Sequence, residues 1–150
     1  MKIGIAADHG GFELKQLIQL FLVSLNYEVT DYGAYEMNDQ DDYPDYIIPL
    51  AKAVADKQVE KGVAVCGSGV GAAIVSNKIA GVRASLITEH FSAHQGVEDD
   101  DMNLICLGGR ITGPSVATEL VKAFLEASFS GGEKYTRRLD KIIALEKMPG

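Results

Sequence analysis

The chain has 150 residues, of which 47% are hydrophobic and 23% are charged, and its formal net charge at pH 7 is −7. This size and composition predict one globular domain over residues 1–150 and argue against disorder. The acidic charge disfavours nucleic acid as a partner, and no apolar run is long enough to cross a membrane. We also expect a cytoplasmic protein without a signal or transit peptide. Cys66 and Cys106 form no CxxC pair, and Met1-Lys2-Ile3-Gly4 leads directly into a strand-like pattern.

The first half of the chain alternates short apolar runs with longer amphipathic stretches. Lys2–Ala7 predicts a buried strand, and the apolar spacing over Phe12–Leu25 predicts an amphipathic helix. Tyr27–Asp31 predicts a short strand, the polar stretch Glu36–Pro44 a loop, and Asp45–Gln58 a further helix.

The second half continues this alternation, and its acidic run Glu98–Asp101 is expected to be a solvated loop or a helix end. The predicted strands are Gly62–Cys66, Val82–Thr88 and Leu104–Leu107. The predicted helices are Ala72–Ile79, Glu89–Val97, Ser115–Ser128 and Lys134–Lys147.

Strands that alternate with helices are typical of βαβ units, which form a parallel sheet covered on both faces. The chain is therefore predicted to be an α/β protein: a three-layer α-β-α sandwich with a five-stranded parallel sheet, Rossmann-like or flavodoxin-like. Ligands of such folds bind at the carboxyl ends of the strands. That rule selects Asp8-His9, the segment Cys66–Gly71 and the residues just past Leu107.

The glycine-rich loop after the third predicted strand, Cys66–Gly71, is open to three interpretations. Its backbone N–H groups could line an anion or oxyanion site, with Cys66 favoured as thiolate by the positive end of the following helix. Cys66 could instead be a small buried hydrophobe that closes a tight turn. Gly67-x-Gly69-x-x-Ala72, with Glu89 after the next strand, also matches a dinucleotide fingerprint, although that motif normally follows the first strand.

Other polar residues have both a structural and a functional interpretation. Asp8 is placed to cap a helix with His9 at the surface, or the two are placed to bind hydroxyls and an anion. His90 and His94 lie one helical turn apart with Glu98 beyond, but no third ligand has supporting spacing, so we predict no metal site. Arg137-Arg138 is either a surface patch or a phosphate clamp.

Taken together, these motifs resemble the family of ribose-5-phosphate isomerase B and the galactose-6-phosphate isomerase subunits, over nearly the whole chain. The matching segments are Asp8-His9-Gly10-Gly11-Phe12-x-x-Lys15, Asp42-Tyr43-Pro44, Cys66-Gly67-Ser68-Gly69-Val70-Gly71, Asn77-Lys78, Gly81-x-Arg83-Ala84, Asn103, Gly108-x-Arg110 and Gly131-Gly132. This resemblance displaces the dinucleotide interpretation, because several separated motifs occur in the same order.

The resemblance implies a cofactor-free aldose–ketose isomerase of a small phosphorylated sugar, dimeric or tetrameric, with active sites shared between subunits. It implies Cys66 as the base that moves a proton through an enediolate, with Ser68 and the loop's N–H groups stabilising the charge. The residues implied to bind substrate are Asp8, His9, Tyr43, Gly67, Gly69, Gly71, Asp100, Arg110 and Arg137.

Two departures from the family pattern bear on the substrate. Asp99-Asp100 stands where most members have a His-Asn pair, whose His opens the furanose ring, and Glu133 stands where members usually have Arg. A substrate that forms no stable furanose, such as a tetrose phosphate, would need no ring-opening histidine. Alternatively Asp99 is catalytic and opens the ring of a pentose phosphate, or His94 reaches the site. A non-catalytic sugar-phosphate-binding or regulatory domain is the competing function, with a small nucleotide-binding domain third.

Overall fold

The computed structural model describes residues 1–149, in which five strands alternate with six helices. The strands are β1 (Lys2–Ala7), β2 (Glu28–Asp31), β3 (Lys61–Cys66), β4 (Ala84–Leu86) and β5 (Leu104–Gly108). The helices are α1 (Phe12–Ser24), α2 (Pro44–Ala55), α3 (Val70–Ser76), α4 (His90–Asp100), α5 (Pro114–Glu126) and α6 (Glu133–Glu146). No helix among these residues is both long enough and apolar enough to span a membrane.

The strands form one parallel sheet in the order β2-β1-β3-β5-β4. The predicted α-β-α sandwich with a five-stranded parallel sheet is confirmed. Alternate side chains of β3 show how the two faces arise: Val63 and Val65 pack with α1, α4 and α5, whereas Ala64 and Cys66 pack with α2 and α3. Gly62 on that second face lets Leu50 and Val54 of α2 approach the sheet closely.

The ends of several elements differ from the sequence prediction, among them those of β4 and α4. The strand expected at Val82–Thr88 spans only Ala84–Leu86, because β4 is an edge strand that pairs with β5 alone. The helix expected at Glu89–Val97 continues to Asp100 and takes in most of the acidic run. Val97 is buried in the core and holds the last turns in place, although acidic residues at a helix carboxyl end are electrostatically unfavourable.

Candidate active site

The loops that follow β1, β3 and β5 meet at the carboxyl edge of the sheet, as predicted. These strands are neighbours at its centre. The N–H of Gly109 donates to the carbonyl of Cys66 at 2.8 Å, and the N–H of Arg110 donates to the carbonyl of Gly67 at 3.0 Å. A Cβ added at Gly10 would lie 2.8 Å from the nitrogen of Gly67, so the first two loops are in backbone contact. The close fit leaves little room for side chains here.

Cys66 ends β3 with its side chain directed into this junction and only 4% of the residue exposed. Its Sγ accepts a hydrogen bond from the N–H of Gly69 at 3.2 Å. Gly69 has φ +87°, a left-handed conformation that few other residues adopt without strain. Within residues 1–149, the N–H groups of Ser68 and Gly71 donate to no protein acceptor. The loop therefore offers backbone donors beside a sulfur atom.

Tyr43 closes one side of the loop from the start of α2. A Cβ added at Gly71 would lie 2.6 Å from Cζ of Tyr43 and 2.9 Å from its hydroxyl oxygen. Only glycine leaves space for the ring, which brings the phenol hydroxyl beside the backbone donors. Tyr43, which the resemblance implies as a substrate-binding residue, thus lies beside the Cys66 loop.

Asp8 is a buried carboxyl at the end of β1, and its Oδ1 accepts from the N–H of Gly10 at 2.9 Å. Burial raises the pKa of Asp8 above its ordinary value, with Asp41 adding to the effect, while the neighbouring His9 and the backbone donors oppose it. Asp8 lies within the glycine-lined junction, so it faces the same space as the Cys66 loop.

His9 is held by Asp41, a residue that the sequence analysis passed over within the polar loop. His9 Nδ1 lies 2.7 Å from Asp41 Oδ1, and the backbone N–H of His9 donates to that same oxygen at 3.1 Å. The hydrogen bond to Asp41 raises the pKa of His9, although burial works in the opposite direction. Loop composition gives no signal for such a contact, because Asp41 lies among several exposed acidic residues.

Arg110 supplies a permanent cation to the site, from the turn after β5. A Cβ at Gly67 would lie 3.9 Å from its Nε and from one terminal guanidinium nitrogen. The guanidinium is close enough to His9 to lower the pKa of that imidazole. A guanidinium and an imidazole with a raised pKa, from the loops after two different strands, thus flank the glycine loop, an arrangement suited to a phosphate group.

Metal-ligating side chains cluster once in the described chain, where ligand atoms of Asp8, His9 and Asp41 lie within 4.8 Å of one another. The 2.7 Å Nδ1–Oδ1 distance is a hydrogen bond, which accounts for the grouping without an ion. On α4, Nδ1 of His94 is paired with Glu98 at 3.0 Å. That contact engages His94 with its own helix and does not direct it to the Cys66 loop.

Asp99, Asp100 and Arg137 do not join the Cys66 loop within one chain. Helix α4 leaves the carboxyl edge after β4 and runs back, so its end lies beside the start of β5. At about 3.3 Å per residue along the six residues of β3, the two edges are ~17 Å apart. Asp99 accepts from Gln95 on α4. Arg137 is exposed on α6, which packs against α4.

Several residues that carried the family resemblance are structural. The side chain of Asn77 makes two hydrogen bonds to the backbone of Ala84, at 2.8 and 2.9 Å, and Asn103 bonds the backbones of Gly81 and Arg83. These hydrogen bonds fix the backbone of the segment that leads into β4. Lys15 is buried and pairs with Asp31 and with a backbone carbonyl, which supports the loop after β2.

Comparison with known proteins confirms the resemblance. The ribose/galactose isomerase family model matches residues 3–142. Ribose-5-phosphate isomerase B of Escherichia coli strain K12 is 38% identical over 146 residues, covering 97% of each chain. A D-erythrulose-4-phosphate isomerase of Pectobacterium atrosepticum is 36% identical and covers 88% of this chain and 87% of its own.

Among solved structures, ribose-5-phosphate isomerase B from Mycoplasma genitalium with bound ribulose-5-phosphate has a TM-score of 0.94 and 36% identity. The match covers 99% of this chain and 97% of that one. Fold, motif order and sequence thus agree over nearly the whole length. The chain belongs to the ribose/galactose isomerase family of aldose–ketose isomerases.

Proposed function

We propose that this protein interconverts the aldose and ketose forms of a four- or five-carbon sugar phosphate, with Cys66 as the base. One observation carries the proposal. The sulfur of Cys66 lies in a glycine loop with uncommitted backbone N–H groups, and that loop contacts Tyr43, Arg110 and the loop that carries Asp8 and His9. Acid–base isomerisation of a phosphorylated sugar requires a base, oxyanion donors, hydroxyl partners and a phosphate site.

In the proposed reaction, Cys66 as thiolate removes the proton from the carbon next to the aldehyde. The electrons of that C–H bond form an enediolate, whose negative oxygen accepts from backbone N–H groups such as those of Ser68 and Gly71. The thiol then returns the proton to the former carbonyl carbon. The proton of the adjacent hydroxyl moves to the other oxygen, with the hydroxyl of Ser68 placed to relay it. The bond from Gly69 N–H to Sγ stabilises the thiolate at the start of the cycle.

The same geometry supports separate places for the rest of the substrate. Asp8 and Tyr43 hold hydroxyl groups near the reacting carbons, and His9 and Arg110 bind the phosphate. The Cα of Gly67 leaves space for substrate beside Arg110, whereas Gly69 is packed against Leu86 and Leu107 and contributes its N–H group. No organic cofactor or metal takes part in this chemistry, since proton transfer needs only the thiolate and hydrogen-bond donors.

We propose that a second copy of the chain completes the site, in a homodimer or a tetramer built from such dimers. Asp99, Asp100 and Arg137 lie at the opposite edge of their own sheet, so they act on substrate only by reaching the Cys66 loop of another copy. Exposed apolar residues on α3 beside that loop, Val70 and Ile74, support a protein contact at this edge.

Asp99 and Asp100, at the end of α4, bear on the number of carbons in the sugar. A tetrose phosphate cannot close a furanose ring through its phosphorylated end, so the ring-opening histidine that Asp99 replaces is not needed. The relative named as a D-erythrulose-4-phosphate isomerase supports a four-carbon substrate within the family. A pentose phosphate is the alternative, and it requires Asp99 to open the ring.

Proton NMR in D₂O with a panel of four-, five- and six-carbon aldose and ketose phosphates tests the proposal. The wild-type protein is expected to exchange deuterium into the carbon next to the carbonyl and to interconvert aldose and ketose. Cys66→Ala should lose both activities by at least about 10²-fold, because it removes the general base. Cys106→Ala is the matched control, since Cys106 is also a buried cysteine but lies within β5.

Loss of turnover in both cysteine variants alike would contradict the role of Cys66. Binding of sugar phosphate without exchange in the wild-type protein would instead support the non-catalytic binding domain. Saturable NADH binding would favour the nucleotide-binding alternative. The preferred carbon number then decides between tetrose and pentose phosphate.

A further inference from the structure

The contact between His9 and Asp41 joins two loops that are 32 residues apart in the chain. Asp41 Oδ1 accepts from both the ring Nδ1 and the backbone N–H of His9, and the Asp41 side chain is only 4% exposed. Its second oxygen, Oδ2, is buried without a hydrogen-bond partner among the described residues. Burying a carboxylate oxygen without a partner lowers the free energy of unfolding. This cost points to a functional role for the contact between Asp41 and His9.

We propose that Asp41 is the positioning residue for His9: it fixes the orientation of the imidazole and favours the charged form that binds phosphate. This inference rests on the proposed function, in which His9 contacts the phosphate of the substrate. Asp41 itself need not touch the substrate, because its Oδ1 is engaged by His9 and its Oδ2 is buried.

The charge state of His9 decides whether its ring attracts or repels a phosphate. With Nδ1 donating to Asp41, the remaining ring atom for a ligand is Nε2. In the imidazolium Nε2 carries a proton and donates to a phosphate oxygen. In the neutral ring paired in this way, Nε2 carries a lone pair that faces a dianion. A carboxylate behind Nδ1 therefore controls binding on the other side of the ring.

The groups that face His9 have opposing effects. Asp41 and Asp8 favour its protonated form, whereas partial burial and the guanidinium of Arg110 disfavour it, and the net direction is a raised pKa. Asp41 is the stronger partner, because Asp8 Oδ2 lies 4.0 Å from Nδ1 while Asp8 Oδ1 is engaged by Gly10. Removal of the Asp41 charge should leave Arg110 and burial dominant.

The test compares Asp41→Asn with Asp39→Asn. Asp41→Asn keeps an oxygen that can accept from Nδ1 and removes the charge, whereas Asp39 is an exposed carboxylate of the same loop. The ring nitrogens of His9 are followed by ¹H–¹⁵N NMR against pH, which is tractable because the chain has three histidines. His9 is expected to titrate above its ordinary range in the wild-type protein and in Asp39→Asn, and at lower pH in Asp41→Asn.

The matching kinetic readout is KM against pH, with the sugar phosphate that the deuterium-exchange panel identifies. At pH 8 we expect KM of Asp41→Asn to rise by about tenfold for each unit by which the pKa of His9 falls, with kcat nearly unchanged. The ratio of variant to wild-type KM should fall toward one as the pH is lowered, because the imidazole of each protein then becomes protonated. Titration of the phosphate itself cancels in that ratio.

A KM ratio that does not change with pH, or a His9 titration unaffected by Asp41→Asn, would overturn the proposal. If Asp41→Asn fails to fold, a wild-type His9 that titrates at or below its ordinary value overturns it equally. If the wild-type protein turns over no sugar phosphate, the proposed function fails. The dissociation constant of D-ribose 5-phosphate in the two variants against pH then replaces KM, and it decides the role of Asp41 by the same criterion.

Discussion

The carboxyl edge of the sheet, where the parallel strands end, and the amino edge, where they begin, are built under different constraints. At the carboxyl edge, Cys66, Asp8 and Tyr43 converge on a glycine loop in which added Cβ atoms would meet backbone or ring atoms. At the amino edge, Asp100 and Arg137 are exposed and contact little of their own chain. The loops of the carboxyl edge keep the motifs of the resemblance, whereas Asp99, Asp100 and Glu133 lie outside those loops, at positions where the resemblance implies a departure from the family pattern.

This difference indicates how the substrate of such an enzyme can change. Proton transfer depends on distances that the packed carboxyl edge holds rigidly, so few substitutions there preserve the reaction. Exposed residues at the amino edge can be replaced at little cost to folding. If they face the substrate only across a subunit contact, they can alter which sugar is accepted while the reaction centre stays the same.

The largest effect is expected from Gly69→Ala at the carboxyl edge. Alanine is strained at φ +87°, and its Cβ would lie 2.6 Å from Leu86 Cδ1 and 3.0 Å from the carbonyl carbon of Leu107. The loop must move and carry its N–H groups away from Cys66. We expect kcat to fall by roughly 10²–10³-fold, the usual cost of losing an oxyanion donor. Steady-state kinetics on purified variant protein measures this.

Gly113→Ala is the control for that substitution, because nothing lies within 4 Å of its Cβ position and its φ is −68°. It should keep wild-type kcat. A Gly69→Ala protein with normal kcat would mean that the loop geometry tolerates change and that the contrast between the edges is wrong.

The comparison of edges also shows what the sequence could predict. Apolar periodicity and glycine-rich turns are sufficient to predict the parallel sheet. They also predict that Asp8, Cys66 and the turn after β5 lie close together, because the carboxyl ends of parallel strands share one edge. The contact of Asp41 with His9 could not be predicted, since the path of a polar loop has no periodicity. Neither could the structural role of Asn77, which entered the sequence analysis only as part of a matching motif and which bonds the backbone of Ala84 in the structure.

Subunit complementation tests whether the two edges work together. Cys66→Ala damages one edge and Arg137→Glu the other, so each protein alone should be nearly inactive. In a one-to-one mixture of exchanged subunits, half of the dimers are mixed and each contains one intact site. Activity should therefore return to about a quarter of the wild-type value.

A mixture of Cys66→Ala with Gly69→Ala is the matched control, because both changes damage the carboxyl edge and no intact site can form. Recovery in that control, or no recovery in the first mixture after verified exchange, would contradict a site shared between the edges of two copies. Size-exclusion chromatography with light scattering verifies the oligomer, and native mass spectrometry of the mixture verifies the exchange.

Restoring the family pair at the amino edge should change substrate preference rather than the reaction. In the double variant Asp99→His with Asp100→Asn, a ring-opening histidine returns, so activity on a five-carbon sugar phosphate should rise relative to a four-carbon one. We expect a change of about tenfold in the ratio of kcat/KM values, less than the roughly 10²–10⁴-fold that a fully positioned acid–base group contributes. An unchanged ratio would mean that chain length is selected at the carboxyl edge instead.

The smallest effect is a stability gain from Asp8→Asn, and it follows from the pKa of Asp8. Because burial raises that pKa, ionisation of Asp8 opposes folding. The stabilising contribution of the neutral carboxyl is complete below the ordinary aspartate pKa and is lost as pH rises through the higher value in the folded protein. Asparagine keeps an oxygen for the N–H of Gly10 without this loss.

We therefore expect Asp8→Asn to raise Tm by a few degrees at pH 7 and to leave it unchanged near pH 3, while turnover falls because a hydroxyl partner is altered. Asp39→Asn, at an exposed position, should leave both Tm and turnover as they are. Thermal unfolding followed by circular dichroism at the two pH values measures the effect. A lower Tm at pH 7 would mean that the Asp8 carboxylate stabilises the fold. In that case the carboxyl edge would differ from the amino edge in how closely its residues pack. It would not carry an additional electrostatic cost from the burial of Asp8.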